Sequence, residues 1–293
     1  MAEAQVLLER LMASQNPDGG WPYHKGTSWA EPTAFAVLAL QSGQDSSIQP
    51  VLHRGISWLL ARQTASGGWA PNANVPECTS VTSIATLAIL PFAIRNNPQR
   101  LDAALTWTAN QVYPDDFSLG LLLARALNLP PAHAPGSVAW YPGTAGWVTP
   151  TALSTLTLLR AARETGRPAL QTIAARSCVY LLSRRCVDNG WNHGGSKTRS
   201  EDATSYPETT GLALLALRAA SISQPDLSVA LARQFILAPE STEGLSWLQM
   251  AIHSPGRPAP DPAVLPVPRT NRDIALRILS LAAKRGKNLF LAA

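Results

Sequence analysis

The sequence predicts a single all-α domain over residues 1–293, built as a closed double ring of about six inner and six outer helices. Two observations carry this prediction. Six segments share one phrase, in which a small acidic or hydroxyl residue stands four positions before an apolar helix. Helices almost free of charge also alternate with amphipathic ones, as expected when the first kind is buried on most sides and the second has one wet face.

The shared phrases recur at intervals of 46, 38, 34, 59 and 35 residues, which is typical of a helical array whose neighbouring units bury each other's faces. They begin at Glu31, Glu77, Asp115, Thr149, Glu208 and Glu243. The helices that follow them are the predicted inner ring. The charge-free runs are Thr33 to Leu40, Thr79 to Leu90, Thr151 to Leu159 and Gly211 to Leu217.

The amphipathic helices form the predicted outer ring. They cover residues 3–15, 50–63, 99–112, 168–185, 225–237 and 271–285. Between the helix ending near Leu127 and the one starting at Thr149 the sequence is rich in proline and has no helical period. We therefore expect a loop to replace the outer helix there, and the C-terminal helix to close the ring against the first.

Composition limits the function classes. The chain has 46% hydrophobic and 15% charged residues, and its net charge of +5 includes no dense Lys/Arg run, which argues against a nucleic-acid partner. Three cysteines without CxxC spacing fit a reducing cytoplasm. Residues 1–15 read as an amphipathic helix rather than a signal peptide, and no apolar run approaches the roughly 20 residues that span a bilayer. We expect a soluble, cytoplasmic protein that at most sits on a membrane surface.

The junctions between outer and inner helices repeat a Gln–Gly–Trp pattern. Gln63 precedes Gly67-Gly68-Trp69, and Gln15 precedes Gly19-Gly20-Trp21 at the same interval. Arg185 to Gly190-Trp191 keeps the interval, whereas Trp107 and Gln111 begin a fourth copy without the Gly-Trp ending. Gln is expected to cap the outer helix, Gly to permit the turn, and Trp to cover the junction while its N–H finds a partner.

This pattern, with Arg54-Gly55 and Trp58-Leu59 preceding Gln63, resembles the QW repeat of squalene–hopene and related terpenoid cyclases. The resemblance covers nearly the whole chain. It implies the α/α toroid of the terpenoid cyclase and protein prenyltransferase superfamily. Hopene-forming cyclases use two such barrels, so this chain resembles one domain standing alone.

The resemblance also suggests where an acid would lie. In class II terpenoid cyclases a DxDD-Thr-Ala motif starts an inner helix, and its middle Asp protonates an alkene or epoxide. Glu31-Pro32-Thr33-Ala34 takes the place of the last Asp-Asp-Thr-Ala, with Trp29 in place of the first Asp. This makes Glu31 the first candidate for the proton donor, followed by Glu208 and Glu77. Each acid also has a structural explanation, because a carboxylate in a first helical turn stabilises the helix by roughly 0.3–1 kcal/mol.

Two rim loops and a few aromatic residues complete the predicted site. One loop carries His24 and Lys25; the other carries His193, Lys197 and Arg199. These side chains are placed to neutralise a diphosphate or carboxylate or to shuttle protons, unless they are simply solvated loop residues. Phe35, Trp247 and Tyr206 are the aromatic residues expected to contact the substrate.

Metal and cofactor signatures are absent from the sequence. Cys78 directly follows Glu77 and no His begins an inner helix, which argues against the zinc site of the prenyltransferases. Asp115-Asp116 is not followed by the remainder of a DDxxD magnesium motif. The expected function is an acid-catalysed cyclisation or isomerisation of an isoprenoid or similar apolar substrate in the central barrel cavity. A non-catalytic toroid that binds a lipid, peptide or partner protein, and a different reaction on the same scaffold, are the alternatives.

Overall fold

A computed structural model describes residues 2–43, 45–114, 134–194 and 204–291. Within these ranges the chain forms eleven helices and one antiparallel two-stranded ribbon, which confirms the all-α prediction. The elements are α1 (Ala2–Ala13), α2 (Ala30–Gln41), α3 (Ile48–Arg62), α4 (Thr79–Asn96), α5 (Pro98–Asn110), β1 (Val138–Ala139), β2 (Gly146–Trp147), α6 (Val148–Thr165), α7 (Pro168–Ser183), α8 (Pro207–Ala219), α9 (Asp226–Leu237), α10 (Thr242–Ile252) and α11 (Asn271–Lys284).

Six helices form a closed inner ring. In order around the ring they are α2, α4, α6, α8, α10 and α11, and α11 packs back against α2. They are buried over most of their length, as in α2, where all residues from Pro32 to Leu40 are buried. A helix without a wet face is stable only when neighbours cover it on all sides. The ring supplies those neighbours, and the predicted toroid is confirmed.

Five helices form the outer layer, each lying over the groove between two inner helices. They are α1, α3, α5, α7 and α9. Each is amphipathic, as α3 illustrates: Leu52, Ile56 and Leu59 are buried at helical spacing, whereas Arg54 on the opposite face is exposed. The predictions for these five outer helices are confirmed within about two residues at each end.

The prediction for the last helix is wrong in one respect, because α11 belongs to the inner ring and not to the outer one. Its charged residues suggested a wet face, but the Arg277 side chain is only 6% exposed and pairs with Glu3 at 2.7 Å. Buried arginines are tolerated where a carboxylate meets them. The outer position without a helix therefore lies between α10 and α11, where the proline-rich segment 253–270 runs, and not before Thr149 as predicted.

Tryptophan junctions link three of the outer helices to the next inner helix. The indole N–H groups of Trp21, Trp69 and Trp191 donate to the carbonyl oxygen ten residues earlier, at 2.8, 2.8 and 2.6 Å. These acceptors lie in the last turns of α1, α3 and α7. All three indoles are fully buried, so each N–H needs a protein acceptor, and a carbonyl in the last turn of the helix supplies it.

The backbone of each junction is held by a threonine. The N–H of Trp21 donates to Oγ1 of Thr33 at 2.8 Å, and the same bond joins Trp69 to Thr82 at 2.8 Å. It recurs between Trp191 and Thr210 at 2.9 Å. Every one of these threonines lies in the first turns of the following inner helix. The junction therefore fixes where that helix begins.

A fourth junction ends at Gly136-Ser137-Val138. The N–H of Val138 donates to Oγ1 of Thr151 at 2.8 Å, as at the other three junctions, although valine has no side-chain donor. Gly136 has φ +76°, and a Cβ there would overlap the carbonyl of Arg176 on α7. The fourth copy of the repeat is thus completed without tryptophan.

Gln63 is the C-cap residue of α3, as expected, and its backbone N–H bonds to the carbonyl of Leu60, but its side chain bonds elsewhere. Nε2 of Gln63 donates to the carbonyl of Gly67 at 3.0 Å and to that of Arg100 in α5 at 2.8 Å. Gln15 makes the equivalent pair of bonds to Gly19 and to Val51 in α3, both at 2.9 Å. The glutamine therefore ties its turn to the start of the next outer helix.

A second set of bonds aligns the inner helices at one end of the barrel. In each bond the acceptor is the carbonyl of the residue two positions after the Trp or Val that ends a junction. The donor is the first N–H of the inner helix that comes one position earlier around the ring. The bonds run from Asn271 to Tyr23 at 2.8 Å, from Ala30 to Pro71 at 3.1 Å, from Thr79 to Trp140 at 2.9 Å and from Val148 to His193 at 2.8 Å. Free N–H groups at helix starts need such partners. The starts of these four helices are thereby held at one rim.

The glycine turn gives a stability prediction. Gly67 has φ +103°, and an added Cβ would overlap the carbonyl oxygen of Ala103, whereas Gly26 has φ +96° and open space around it. Both Ala substitutions carry the cost of a left-handed backbone, about 1–2 kcal/mol. We expect Gly67→Ala to lower the free energy of unfolding by about 1–3 kcal/mol more than Gly26→Ala, measured by urea unfolding. Equal losses would contradict the close approach of the turn to α5.

Candidate functional site

One position recurs at the start of every inner helix, two residues after the residue that caps it. Around the ring these residues are Glu31, Ser80, Thr149, Glu208, Glu243 and Arg272. They line the barrel mouth. The structure thus places Glu31, Glu208 and Glu243 at the mouth, and it adds an arginine between two of them that sequence reasoning did not assign.

Arg272 joins Glu243 and Glu31 across the point where the ring closes. Nη1 of Arg272 donates to Oε2 of Glu243 at 2.6 Å, and Nη2 donates to Oε1 of the same carboxylate. On its other side, Nε of Arg272 lies 3.1 Å from Oε1 of Glu31. The three side chains are 19 to 26% exposed, so solvent screens these pairs only partly. We call Glu31, Tyr23, Glu243 and Arg272 the mouth cluster.

Tyr23 supplies a fourth group to the mouth cluster. Its hydroxyl donates to Oε2 of Glu31, and its backbone carbonyl accepts the N–H of Asn271 at the start of α11. Burial and the neighbouring Glu31 carboxylate raise the pKa of Tyr23, so the phenol remains a hydrogen-bond donor. Glu31 therefore has the Tyr23 hydroxyl bonded to Oε2 and the Arg272 guanidinium charge beside Oε1.

The charges of the mouth cluster do not balance. Burial alone would lower the pKa of Arg272, but the Glu31 and Glu243 carboxylates outweigh it and raise that pKa. Burial would raise the pKa of Glu243, but the Arg272 charge holds it below its ordinary value. Two carboxylates share one guanidinium. The bidentate bonds of that guanidinium go to Glu243, and Glu31 lies beside its Nε.

Aromatic side chains fill the barrel axis below the mouth. The Arg272 guanidinium lies 5.4 Å from the Phe35 ring centroid, and the Phe35 and Trp247 centroids are 6.0 Å apart. Trp247 in turn lies 5.3 Å from Phe290. All three aromatic side chains are at most 1% exposed. Phe35 and Trp247 lie on the axis as predicted, but at this column the expected open cavity is not found, because Phe290 reaches in from the far end.

Glu208 lies beside the mouth cluster. Its Oε1 accepts a hydrogen bond of 3.0 Å from the Ser241 hydroxyl, and Ser241 caps α10, the helix that carries Glu243. The side chain is half-buried. Glu208 is thus on the rim, as predicted.

Glu77 is misplaced by the sequence prediction. The threonine that accepts the junction N–H is Thr82, five residues after Glu77, whereas Thr33 follows Glu31 by two. The position equivalent to Glu31 in α4 is therefore Ser80. Glu77 instead accepts the indole N–H of Trp107 at 2.8 Å and a hydroxyl hydrogen bond from Ser66.

Glu77 is one half of an acid–serine pair that recurs at three junctions. In the first the acid is Asp18 and the serine Ser28, at 2.7 Å; near Trp191 the pair is Asp188 and Ser205, at 2.9 Å. At the second junction the serine, Ser66, comes before the acid, Glu77, in the sequence. Burial would raise the pKa of Glu77, but hydrogen bonds from Ser66, Thr64 and Trp107 lower it below its ordinary value. Its carboxylate is thus engaged in the turn by Ser66 and Trp107.

The predicted polar loops are only partly brought together. His24 and Lys25 are exposed and lie on the loop after Trp21. The His193 ring lies 5.1 Å from that of Tyr206 and 5.9 Å from that of Trp147, measured between centroids. His193 and Tyr206 therefore form one exposed aromatic group on the rim. Asp115, Lys197 and Arg199 lie outside the described residues.

Sequence reasoning missed Arg272 and Phe290, and assigned no role to Tyr23. Arg272 follows Thr270, whose hydroxyl and Asp273 form a capping box at the start of α11. Alignment of that helix start with the other five would have placed Arg272 at the mouth. Nothing in the local sequence indicates that Phe290 turns back into the barrel.

Comparison with known proteins supports the fold assignment. No protein-family model matches the sequence. A segment of 71 residues, 22% of this chain, is 39% identical to drimenyl diphosphate synthase of Streptomyces showdoensis and spans only 13% of that protein. The type II terpene cyclase MstE from Scytonema, with geranylgeranyl dihydroxybenzoate bound, matches 98% of this chain and 77% of its own at a TM-score of 0.61 and 15% identity.

This chain has the α/α-toroid fold of the terpenoid cyclases. The same fold also serves other enzymes, since the endo-β-1,4-glucanase CMCax from Acetobacter xylinum matches 98% of both chains at a TM-score of 0.58 and 16% identity. The comparisons confirm the toroid fold that the sequence predicts. The reaction has to be argued from the site.

Two further features bear on the site. No helix in the described ranges combines the length and apolar character needed to cross a bilayer. Among the same residues, no group of three or more His, Cys, Asp and Glu side chains is arranged to hold a metal ion.

The mouth cluster predicts an unusual pH dependence of stability. In the wild type the lowered pKa of Glu243 contributes stability above its ordinary value of 4.5, and this is lost as the pH falls through the folded-state value. Arg272→Met leaves two carboxylates without their cation and should cost about 3–5 kcal/mol near neutrality. Burial then raises the pKa of Glu243, so the variant should regain stability on mild acidification.

Urea unfolding across a pH series measures this effect. Arg277→Met is the matched control, because Arg277 is at least as buried, 6% exposed against 19% for Arg272, but pairs with the half-exposed Glu3 and not with the mouth cluster. A fall in the stability of Arg272→Met that parallels the wild type on acidification would contradict the account.

Proposed function

We propose that this chain is an enzyme of the terpenoid-cyclase type, which carries out acid–base chemistry on an isoprenoid or similarly apolar substrate at the barrel mouth. The observation that carries the proposal is the position of Glu31, which begins an inner helix between Tyr23 and the Arg272–Glu243 pair. Such a group can hold and release one proton while the remaining charges stay paired.

Glu31 is the proton donor in this proposal. Its carboxylic acid gives a proton to a carbon–carbon double bond or epoxide of the substrate, which leaves the carboxylate and a carbocation. Ring closure or rearrangement follows within the substrate. A proton lost from the product cation to Glu31, or to Glu208 beside it, restores a neutral hydrocarbon framework. Tyr23 and Arg272 stabilise the carboxylate that forms.

The polar end of the substrate would lie among the rim loops. His193 and Tyr206 form the exposed aromatic group there, and His24 and Lys25 lie in solvent on the other predicted loop. We propose these side chains, with Lys197 and Arg199, as the groups that orient a diphosphate, carboxylate or aromatic head. Phe35 and Trp247 face the apolar part of the substrate.

The relatives support this chemistry. MstE is a type II terpene cyclase that binds geranylgeranyl dihydroxybenzoate, and its structures include variants in which an aspartate, a tyrosine or an arginine is replaced. The mouth cluster of this chain likewise combines carboxylates, a tyrosine and an arginine. The sequence match is to an enzyme whose name states a terpenoid diphosphate product.

One observation favours a second candidate, a non-catalytic toroid that binds a lipid, peptide or partner protein. The aromatic column on the axis has almost no exposed surface, so a substrate needs space that this arrangement does not offer. A glycosidase-type reaction is a third candidate, because carboxylates at the mouth of this fold are compatible with it and CMCax shares the fold.

Glu31→Gln is the direct test of the enzymatic proposal. With linear prenyl diphosphates and geranylgeranyl dihydroxybenzoate as trial substrates, we expect the wild type to give cyclised or isomerised products and Glu31→Gln to lose at least about a hundredfold in rate. Products are read by mass spectrometry, and folding by circular dichroism.

Glu77→Gln is the matched control, since Glu77 is an acid of similar exposure whose carboxylate is bound by Trp107 and Ser66 and not by the mouth cluster. It should keep its activity. Equal rates for Glu31→Gln and wild type would remove Glu31 from the role. An inactive wild type that nonetheless binds a lipid or protein would favour the second candidate.

A further inference from the structure

We propose that residues 287–291 form a movable stopper, and that the phenyl ring of Phe290 occupies the place in the barrel that the apolar chain of a ligand takes when the stopper withdraws. This inference rests on the proposed function for the identity of the ligand, an isoprenoid chain. The observation behind it is the path of the segment, which crosses the barrel floor opposite the mouth cluster.

The stopper contacts inner helices on several sides of the ring. Nζ of Lys287 donates to the carbonyls of Gln41 and Ser42 at the end of α2, at 3.1 and 3.0 Å. Nδ2 of Asn288 donates to the carbonyl of Met250 in α10 at 2.9 Å. The carbonyl of Leu289 accepts from Arg160 in α6 at 3.0 Å. Because α6 lies opposite α11 in the ring, the segment reaches from α11 to the far side of the floor.

Phe290 reaches from this floor to the middle of the barrel. Its ring is 1% exposed and contacts Trp247, which contacts Phe35 directly beneath the mouth cluster. Removing this one side chain would open the axis from below. The space that the ring occupies lies against the Trp247 indole and within the buried apolar core, so it suits a hydrocarbon chain or an aryl group.

The contacts that hold the stopper in place can be replaced when it leaves the barrel. Its bonds to the ring join side chains to carbonyls at the floor, and water can replace these partners when the segment leaves. Gly286, with φ +82° and open space where a Cβ would lie, separates the stopper from α11 and can act as its hinge. The apolar surface beneath Phe290, in contrast, would be exposed to water at a cost in free energy. A hydrocarbon ligand that fills it restores the burial that the ring provided.

Binding of geranylgeraniol tests this proposal without any need for turnover. Phe290→Ala should bind it at least about tenfold more tightly than the wild type, because the ligand no longer has to displace a buried phenyl ring. Asn288→Ala keeps the ring but weakens the hold on α10, and it should show a smaller gain in the same direction. Phe235→Ala, which removes a half-buried phenyl group from the outer helix α9, is the matched control and should bind like the wild type.

Hydrogen exchange supplies a readout that a purely structural plug would not change. The amides of Phe290 and Leu291 are hydrogen-bonded within the segment, to Asn288. Geranylgeraniol added to the wild type should speed their exchange while it slows exchange in the inner helices. If Phe290→Ala fails to fold, Asn288→Ala and this measurement still decide the matter.

Unchanged affinity in Phe290→Ala and Asn288→Ala, or slower exchange of the two amides on binding, would overturn the stopper. The proposed function fails separately, if Glu31→Gln turns over as fast as the wild type whatever these variants bind.

Discussion

The toroid depends on one repeated contact, in which a buried indole caps the outer helix behind it while its backbone N–H binds a threonine of the inner helix ahead. Trp21, Trp69 and Trp191 make both bonds, and Val138 keeps the second. Because the register of each inner helix is fixed relative to its junction, equivalent residues recur at one height around the barrel. Three carboxylates and one arginine meet at the mouth for this reason, and the arginine falls where the last helix closes onto the first.

The mouth and the floor of the barrel are linked by a continuous column of side chains. Arg272 lies over Phe35, Phe35 contacts Trp247, and Trp247 contacts Phe290. The charges of the mouth cluster therefore stand on an apolar base that keeps water away and strengthens their interaction. The same column occupies the space that a substrate would need. Activity inside the barrel would therefore depend on opening of the floor. A reaction at Glu31 requires the aromatic residues beneath it to move or the substrate to lie across the rim.

Most of the fold could be predicted from the sequence, because charge-free and amphipathic helices differ plainly in pattern and the junction phrase repeats. The errors have physical causes. α11 looked amphipathic because its arginines are charged, yet Arg272 and Arg277 are buried against carboxylates that lie far away in sequence. Glu77 was placed at the mouth because the repeated phrase alone does not fix which residue begins the helix. The hydrogen bond from the Trp69 N–H to Thr82 fixes it. The position of Phe290 depends on a chain reversal at Gly286, which no periodic pattern records. Glu31 was found because its helix start matched a motif, but its partners come from the ring closure.

The central claim is that the closed ring brings Glu31 against Arg272, which is 241 positions away in the chain. A double-mutant cycle on the free energy of unfolding tests it most directly, with Glu31→Gln, Arg272→Met and the double variant. We predict a coupling energy of about 1–3 kcal/mol, whereas the same cycle between Glu77 and Arg272 should give about zero. A coupling between Glu31 and Arg272 no larger than that control would contradict the account.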